Sequence, residues 1–565
     1  MSAIYRQIHS RQVEGLYQTL VALLLLLMTG GSAAARDTPL PPDRIVKWQG
    51  NVGVLGDIPV KNKVFSTLSP SGADDTLQLQ GEINRCTPGQ VLELKGGTFK
   101  ISRLLSVKSG IVIRGAGAKK TVIKGTSDFK GDQLMLVEPR SWSYNLSRPP
   151  AVSLESGYRK GSTTITTISE HRLREGDVIL IDQMKDPDGI PAVDSKGDGG
   201  VCTWCGRENG ARPLGQLVMV KSTPDSTTVE LEIPLYWSFK KSLMPELVKV
   251  TGQVEGFGLE DLTLDNGDSG AREAALQMNN VSNSWVHRVE MIGSSKELMR
   301  IWNGYRITVR GCTFHEGIPV TATSGTAFGP SRGYGIWINP GASACLIEHN
   351  EFYHLALAIT ANGTASGNVF SYNYIHDLYH LNTANAGAAI SFHGAHPMMN
   401  LIEGNYSEGA IVADNYWGSS STNTIFRNRI INESSYTCQA WAVNLHANQQ
   451  QYNVVGNILG APGDEERFER EKGKCDSAIY NMADPVVKSS AFRHANWDSV
   501  HKKVLWYGTR GRSLPPSLYL SGAPKWWGRT LWPPVGPEVS AKPHLHKRSA
   551  RPSWWREGRG DEESD

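Results

Sequence analysis

Residues 345–375 read CLIEHNEFYHLALAITANGTASGNVFSYNYI, in which short apolar runs alternate with turns rich in asparagine and glycine. The same order of strand, turn, strand, asparagine and strand recurs from Val254 to Pro462. The shortest repeat is 23 residues, the spacing between Asn350 and Asn373. A period in the twenties with three short strands is typical of a solenoid whose coils bury apolar residues by stacking. The pattern predicts an all-β fold, a right-handed parallel β-helix.

One position of the repeat is asparagine in five consecutive coils. Aligned on the residue before the third strand of each coil, the positions are Leu262, Val289, Cys312, Asn350, Asn373, Asn405, Asn428 and Asn457. Stacked in one turn, the five amides can hydrogen-bond to one another and to the turn backbone. We therefore expect a buried asparagine ladder at this turn.

The N-terminal part of the chain adds a cap and first coils to this pattern. Gly72-Ala-Asp-Asp75 precedes a short amphipathic helix, Leu77 to Cys86, and strand-like runs follow, such as Val91-Leu-Glu-Leu94. Over about residues 65–140 and 250–530 the chain resembles the pectin lyase-like superfamily, secreted right-handed parallel β-helix proteins of the pectate lyase type. The resemblance implies the fold and a polysaccharide site on the first-strand face. The WxDH and RxPxxR patterns of the best-known pectate lyases are missing, so no catalytic residue is carried over.

Breaks in the coil rhythm divide the chain into six segments. Residues 150–248 alternate like the strands of a small β-barrel, which we interpret as an inserted small β-domain. The segments are 1–35 (signal peptide), 36–149 (N-terminal cap and first coils), 150–248 (insertion), 249–462 (main coils with the ladder), 463–539 (C-terminal wrapping segment) and 540–565 (disordered charged tail).

The first 35 residues have the features of an export signal. Arg6 and Arg11 precede a nine-residue apolar run from Leu20 to Met28, and Ala33-Ala34-Ala35 offers small residues for cleavage. The run is shorter than the roughly 20 residues of a spanning helix. We expect a secreted or periplasmic protein with no membrane contact after cleavage.

The net charge and the cysteines of the chain indicate which binding partners and metal sites to expect. Lys plus Arg number 58 and Asp plus Glu 55, a net charge of +3 that gives no reason to expect a nucleic acid. We expect a monomer. The 7 cysteines leave at least one without a partner in the chain. Cys202-Thr-Trp-Cys205 has no second ligand pair nearby, which favours a local disulfide or two buried thiols over zinc.

If the asparagines mark the second turn, the extra residues of the longer coils fall in the third turn, ahead of each first strand. We expect these enlarged turns to form one wall of a groove on the first-strand face. Strand alternation predicts that Leu276/Met278, Ile336/Ile338, Ile390/Phe392 and Val443/Leu445 point inward. The outward side chains form two columns. These are Gln277, Arg300, Trp337, Thr360, Ser391, Ala413 and Asn444, and then Asn279, Trp302, Asn339, Asn362, His393, Asn415 and His446.

Aromatic and amide side chains on such a face suit a polysaccharide, because rings stack on sugars and amides bond to hydroxyls. The candidate substrate-binding residues are Asn279, Trp302, Trp337, Asn339, Asn362, Asn415, Trp417 and Asn444. The alternative interpretation is that the outer face is polar without binding a ligand, and that its asparagines serve as turn residues.

Our leading functional hypothesis is a lyase that cleaves an acidic, uronate-containing polysaccharide by β-elimination. Such a lyase needs a base and a group that neutralises the uronate carboxylate. Arg300, His393 and His446 are the candidate catalytic residues, with Asn415 between the two histidines. No cofactor is expected. A calcium ion has weak support, because Asp414 is the only carboxylate on the first strands and alternation turns it inward.

Two other classes stay open. A glycoside hydrolase of the same fold would use paired carboxylates, for which Glu316, Asp377, Glu408 and Glu433 are available at the third turns. A carbohydrate-binding or adhesion solenoid would use the same groove without chemistry.

Overall fold

Three long parallel sheets, formed by successive coils of the chain, make up the body of the protein in this computed structural model. The structure describes residues 39–141, 150–186, 202–267, 274–294, 296–317, 333–378, 388–431, 441–461, 467–471, 477–507 and 512–539. The predicted signal peptide, the predicted tail, Glu433 and the third-turn insertions at 318–332, 379–387 and 432–440 lie outside the described residues. Among the described residues, no helix has the length and apolar character needed to cross a bilayer.

The first strands of the coils form one sheet, here named the first-strand sheet. Its strands are Ala274–Asn279, Glu297–Trp302, Tyr334–Ile338, Leu357–Asn362, Ala388–His393, Ala410–Ala413, Trp441–Leu445, Ala478–Met482 and Arg467–Glu469, paired in that order. The long N-terminal strands Gly97–Val107 and Thr121–Val137 begin in the third-strand sheet and continue into this one.

The second strands form a twelve-stranded sheet, the second-strand sheet. Its strands are Val64–Leu68, Val91–Leu94, Val112–Arg114, Gly258–Glu260, Trp285–His287, Thr308–Arg310, Leu346–Glu348, Val369–Ser371, Leu401–Glu403, Thr424–Phe426, Asn453–Val455 and Phe492–His494. The two short strands Val254–Glu255 and Val281–Ser282 pair beside it.

The third strands form the third-strand sheet. Its strands are Thr263–Asp265, Glu290–Ile292, Thr313–His315, Glu351–Tyr353, Tyr374–Ile375, Tyr406–Ser407, Arg429–Ile430, Ile458–Leu459 and Asn496–Asp498. The last of these pairs antiparallel with Lys503–Leu505, which ends the parallel stacking.

The predicted asparagine ladder is confirmed and is one coil longer than expected. Each side-chain amide donates to the next side-chain oxygen, from Asn350 through Asn373, Asn405, Asn428 and Asn457 to Asn496, over 2.8–3.1 Å. A second ladder joins Asn368, Asn400 and Asn423 at the turn before the second strand. Both ladders pair buried polar groups that the bends withdraw from water.

The predicted inward residues fill a continuous apolar core. Ile336, Ile338, Ile390 and Phe392 have no exposed surface, and the same holds for the other predicted pairs. The helix Thr76–Arg85 covers the N-terminal end of this core with Leu79 and Ile83. A short helix, Pro485–Ser490, lies near the other end, where the Asp484 side chain accepts the Val487 N–H. One-turn segments lie at Pro42–Arg44, Arg207–Gly210, Lys241–Leu243 and Lys525–Trp527.

The insertion is a closed antiparallel barrel of six strands. The strands are Val152–Ser156, Thr164–Thr167, Val178–Gln183, Leu214–Ser222, Thr228–Leu231 and Glu246–Lys249. The barrel rests on the turns between first and second strands, where the Leu217 N–H donates to Ser343 Oγ at 2.9 Å and Tyr305 Oη donates to Glu232 at 2.8 Å. It therefore stands beside one edge of the first-strand face.

Candidate functional site

The outward face of the first-strand sheet carries two columns of side chains, as the alternation predicts, up to the coil of Ala388–His393. Gln277 pairs with Arg300, Arg300 with Trp337, and Trp337 with Thr360. In the second column Asn279 pairs with Trp302 and Asn362 with His393.

The register of the next coil differs from the prediction. Ser391 pairs with Val412 and Phe392 with Ala413, because the pairing shifts by one residue between Ala388 and Ile390. Ala413 is consequently buried in the core, and the prediction that it faces outward is wrong. The expected inward position of Asp414 is wrong for the same reason.

Asp414, and not Asn415, therefore occupies the second column between the two histidines. The backbone ladder continues through it, since the Asp414 N–H donates to Phe392 O and the His446 N–H donates to Ala413 O. Asn415 lies one residue further on, beyond the end of the strand. The column thus presents His393, Asp414 and His446 on three successive coils, about 5 Å apart.

The first two of these residues are directly joined. His393 Nδ1 and Asp414 Oδ2 are 2.8 Å apart, with side chains 27% and 20% exposed. The second carboxylate oxygen of Asp414 accepts the Tyr416 N–H at 3.0 Å. This arrangement orients the imidazole and leaves its Nε2 for other partners.

The environment separates the pKa values of the two histidines. Burial opposes a charge on His393, but the charge and hydrogen bond of Asp414 outweigh it and raise the pKa of His393 above 6.5. Burial lowers the pKa of His446; Asp414 offsets part of that effect, and the positive charge of Arg470 adds to it. The pKa of Asp414 is lowered, since both histidines and the Tyr416 N–H outweigh its burial. The site therefore favours a charged His393 and, two coils away, a neutral His446 that can accept a proton.

Arg470 is a groove residue that the sequence analysis missed. Glu469 pairs with Tyr480, which puts Arg470 level with Asn481 at the C-terminal end of the first column. Its guanidinium lies 4.8 Å above the Trp441 ring, close enough to His446 to lower the pKa of that residue. Among the residues that the structure describes, Arg470 has no carboxylate partner, and its Nε is buried without a hydrogen bond. A half-buried cation of this kind is a ready partner for an anionic group.

Aromatic side chains surround His393. Trp204, from the Cys202–Cys205 loop of the barrel, and Tyr416 both lie roughly parallel to the imidazole, with ring centroids 6.2 and 6.1 Å away. Trp417 meets Trp204 edge-on at 6.2 Å and Tyr416 at 5.3 Å. Of these three, only Trp417 was a candidate binding residue, since nothing in the sequence brings residue 204 to this face.

Arg300 lies apart from the histidines. It is three coils from His393, about 14 Å at strand spacing, and its guanidinium pairs with Glu297. Gln277 Oε1 lies 3.4 Å from the same guanidinium. The structure therefore gives Arg300 no contact with the His393–Asp414–His446 column.

The other candidate binding residues differ in accessibility. Trp302, Trp337, Asn415 and Trp417 are half-buried and can meet a ligand. Asn339 is buried. Three further asparagines are buried, and their side-chain amides form hydrogen bonds inside the protein: Asn279 with Glu138, Asn362 with Ile338 O and Asn444 with Asn481. Burial therefore removes these four from the surface that a ligand would meet.

The carboxylates of the hydrolase alternative lie on the third-strand side. Glu316 contacts His354 at 2.6 Å, and Asp377 contacts His376 at 2.8 Å. The Asp377 N–H donates to Glu408 at 3.0 Å. Within the described parts of the chain, no group of three or more His, Cys, Asp or Glu residues has the arrangement of a metal site.

Cys202 and Cys205 form a disulfide, one of the two states expected for this pair. Cys86, Cys312 and Cys345 are free and buried. Cys438 and Cys475 lie outside the described residues.

Comparison with known proteins supports the fold. A family model described as a right handed beta helix region matches residues 252–458. No curated protein sequence matches the chain.

Several solved structures are similar at low identity, and three of them are described here. The tailspike gp61 of Pseudomonas phage phi297 has 13% identity and a TM-score of 0.43, over 85% of this chain and 84% of that one. The tailspike of E. coli bacteriophage HK620, solved with a pentasaccharide, has 12% identity and a TM-score of 0.42, over 76% and 59%. The A-module of the mannuronan C-5 epimerase AlgE6 of Azotobacter vinelandii has 11% identity and a TM-score of 0.36, over 75% and 95%. The predicted right-handed parallel β-helix is confirmed, and the pectate lyase type stays a hypothesis.

Proposed function

We propose that the protein is a lyase that cleaves an acidic, uronate-containing polysaccharide by β-elimination in the groove on the first-strand face. The observation that carries the proposal is the His393–Asp414–His446 column, in which neighbouring groups favour a charged His393 and a neutral His446. The half-buried Arg470 beside His446 supports an anionic substrate.

In this reaction neutral His446 takes the proton from the carbon next to the uronate carboxylate. The C–H electron pair forms a carbon–carbon double bond, and the C–O bond to the neighbouring sugar breaks with its electrons on oxygen. That oxygen then takes the proton from the imidazolium of His446, so protons and electrons balance. Positive charge is needed where the carboxylate gains electron density, and His393 and Arg470 supply it.

Asp414 acts on His393 and not on the substrate. Its carboxylate holds the Nδ1–H of the imidazole, which points Nε2 away from Asp414. It also favours the protonated form of His393, because that contact raises the pKa of the imidazole. Without Asp414, the partial burial of His393 would favour its neutral form.

We also propose that the protein works outside the cytoplasm, as a monomer. The Cys202–Cys205 disulfide supports this location, because such bonds persist in oxidising compartments.

The test is a panel of neutral and acidic polysaccharides with the purified protein, followed by ultraviolet absorbance of the conjugated unsaturated uronate. We expect absorbance to rise with one or more uronate polymers and with no neutral polymer. The His446→Ala variant should lose this activity, about 10²–10⁴-fold for a general base. His287→Ala, on the second-strand sheet, is the matched control and should keep it.

Other outcomes reassign the function. Reducing ends that appear without the chromophore would contradict elimination and favour the hydrolase, with Asp377 and Glu408 as its carboxylates. Binding without any cleavage would contradict a lyase and favour the adhesion solenoid.

A further inference from the structure

We infer that Trp204 is a positioning residue for His393, delivered to the groove by the disulfide loop of the inserted barrel. The kinetic part of this inference rests on the proposed function, and its structural part does not. Trp204 does not need to touch the substrate in this role.

The Trp204 indole and the Tyr416 ring both lie near the His393 imidazole and roughly parallel to it. The Trp204 centroid is 6.2 Å away with its plane at 25° to the imidazole, and the Tyr416 centroid is 6.1 Å away at 15°. An imidazolium with two aromatic rings beside it gains a cation–π contribution and loses freedom to rotate away from Asp414. The flanking rings and the hydrogen bond to Asp414 therefore act on the same rotamer.

The loop that carries Trp204 is seated on the backbone that follows His393. The Ala395 N–H donates to Cys205 Sγ at 3.2 Å, and the His396 N–H donates to Pro213 O at 3.2 Å. A Cβ at Gly394 would lie 2.8 Å from Cys205 Sγ and 3.0 Å from the Trp204 ring. This close approach shows that barrel loop and coil turn are fitted to each other at the site.

The side chains around Trp204 are packed in a different apolar cluster from the core of the barrel. Cys202, Cys205 and Ala395 form a small apolar cluster with Trp204 and Trp417 packed against it. The barrel core is a different cluster, built on residues such as Ile179, Leu217 and Val229. A change at Trp204 should therefore alter the groove without unfolding the barrel.

The disulfide limits the motion of the loop. Only two residues, Thr203 and Trp204, separate the bonded cysteines, so the bond leaves the indole few backbone conformations. Opening the bond would restore that freedom. We therefore expect both the Trp204 indole and the disulfide to protect His393.

The experiment measures the rate at which diethyl pyrocarbonate modifies His393, followed by mass spectrometry of the peptide that contains it. Trp204→Ala and the double variant Cys202→Ser/Cys205→Ser should each raise this rate several-fold, because the imidazole loses a neighbouring ring and becomes more accessible to the reagent. Trp204→Phe should restore most of the protection. Thr203→Ala, an exposed position in the same loop, is the matched control, and His446 is the internal reference.

Activity on a polymer found by the panel gives the second readout. Trp204→Ala should lower kcat more than it raises KM and should move the alkaline limb of the pH profile, whereas Trp204→Phe should recover both. An unchanged modification rate of His393 in Trp204→Ala overturns the inference, whatever the protein cleaves. A raised rate in a protein that cleaves no polymer supports the positioning role and contradicts the proposed function alone.

Discussion

The first-strand and second-strand faces are built by the same coils, yet they differ in whether their charged residues are covered or open to solvent. On the second-strand face, Glu348 and Glu403 are buried beneath the C-terminal segment 512–539. Tyr519 Oη donates to Glu348 at 2.8 Å, and the Leu518 N–H donates to Glu403 at 2.9 Å. On the first-strand face, His393 and Asp414 bond to each other but remain partly exposed.

The N-terminal segment adds to the cover of the second-strand side. Trp48 Nε1 donates to Met399 O at 3.0 Å, and the Val54 N–H donates to the Thr308 hydroxyl at 2.9 Å. The difference between the two faces is thus a difference of covering chain and not of residue type. Buried titratable groups mark a functional site only where the chain leaves them open to a ligand.

The largest expected effect concerns the open face. Asp414→Asn should lower turnover of the substrate about 10²–10⁴-fold, since the amide neither charges nor orients His393 correctly. The wild type should be active above the lowered pKa of His446 and below the raised pKa of His393, because His446 must be neutral and His393 charged. The pH–rate profile checks this, and in Asp414→Asn any remaining alkaline limb should shift to lower pH. If Asp414→Asn had the kcat and the pH–rate profile of the wild type, Asp414 would have no role in the reaction.

The next effect concerns pH and the covered face. Burial raises the pKa of Glu403 to about 7, and the hydrogen bonds from Ser517 and Leu518 and the charge of Arg427 offset only part of that. The native state therefore holds this proton more tightly than the unfolded chain. The resulting stability is complete below the ordinary value of 4.5 and is lost as pH rises toward 7, on the order of 3 kcal/mol.

Urea unfolding of the wild type and of Glu403→Gln at pH 4.5 and 8 measures this loss. The glutamine variant should lose less stability between the two pH values, because it carries no ionisable group. Equal losses in both proteins would contradict the assignment. Under conditions in which both proteins are folded, Glu403→Gln should be as active as the wild type, because Glu403 lies on the covered face and not on the open one.

A smaller loss of stability is expected from Tyr519→Phe. The phenol bonds to the carboxylate of Glu348 and lies 2.8 Å from Ser371 Oγ, and hydrogen bonds to charged groups contribute about 1.5–3 kcal/mol. Thermal unfolding should show the loss, with Tyr507→Phe, at an exposed position, as the control. A variant as stable as the wild type would mean that the C-terminal segment does not depend on this bond.

The smallest effect tests the register. Asn415→Ala should keep turnover within a few-fold of the wild type, because Asp414 and not Asn415 stands between the histidines. Measured beside Asp414→Asn in the same assay, it separates the two possible registers. If Asn415→Ala were the inactive variant, the register expected from strand alternation alone would be correct.

Much of the architecture could be predicted from local pattern. The period of 23 residues, the aligned asparagines and the inward pairs such as Ile390 and Phe392 follow from the need to bury apolar side chains and to pair polar groups at each bend. The histidines of the column were identified in the same way, because both stand at outward positions of regular strands.

What the sequence by itself determined is the coil, since each coil repeats the same burial problem and solves it with the same residue types. The tertiary structure alone decided two features of the site. The position of Asp414 depends on a one-residue shift in the pairing of two neighbouring strands, which alternation within either strand cannot show. Trp204 lies near His393 because the barrel loop packs on a coil turn 190 residues further along the chain. The hydrogen bond from the Ala395 N–H to Cys205 Sγ shows this contact. Contacts at such separation depend on how whole units pack, and no local pattern encodes them.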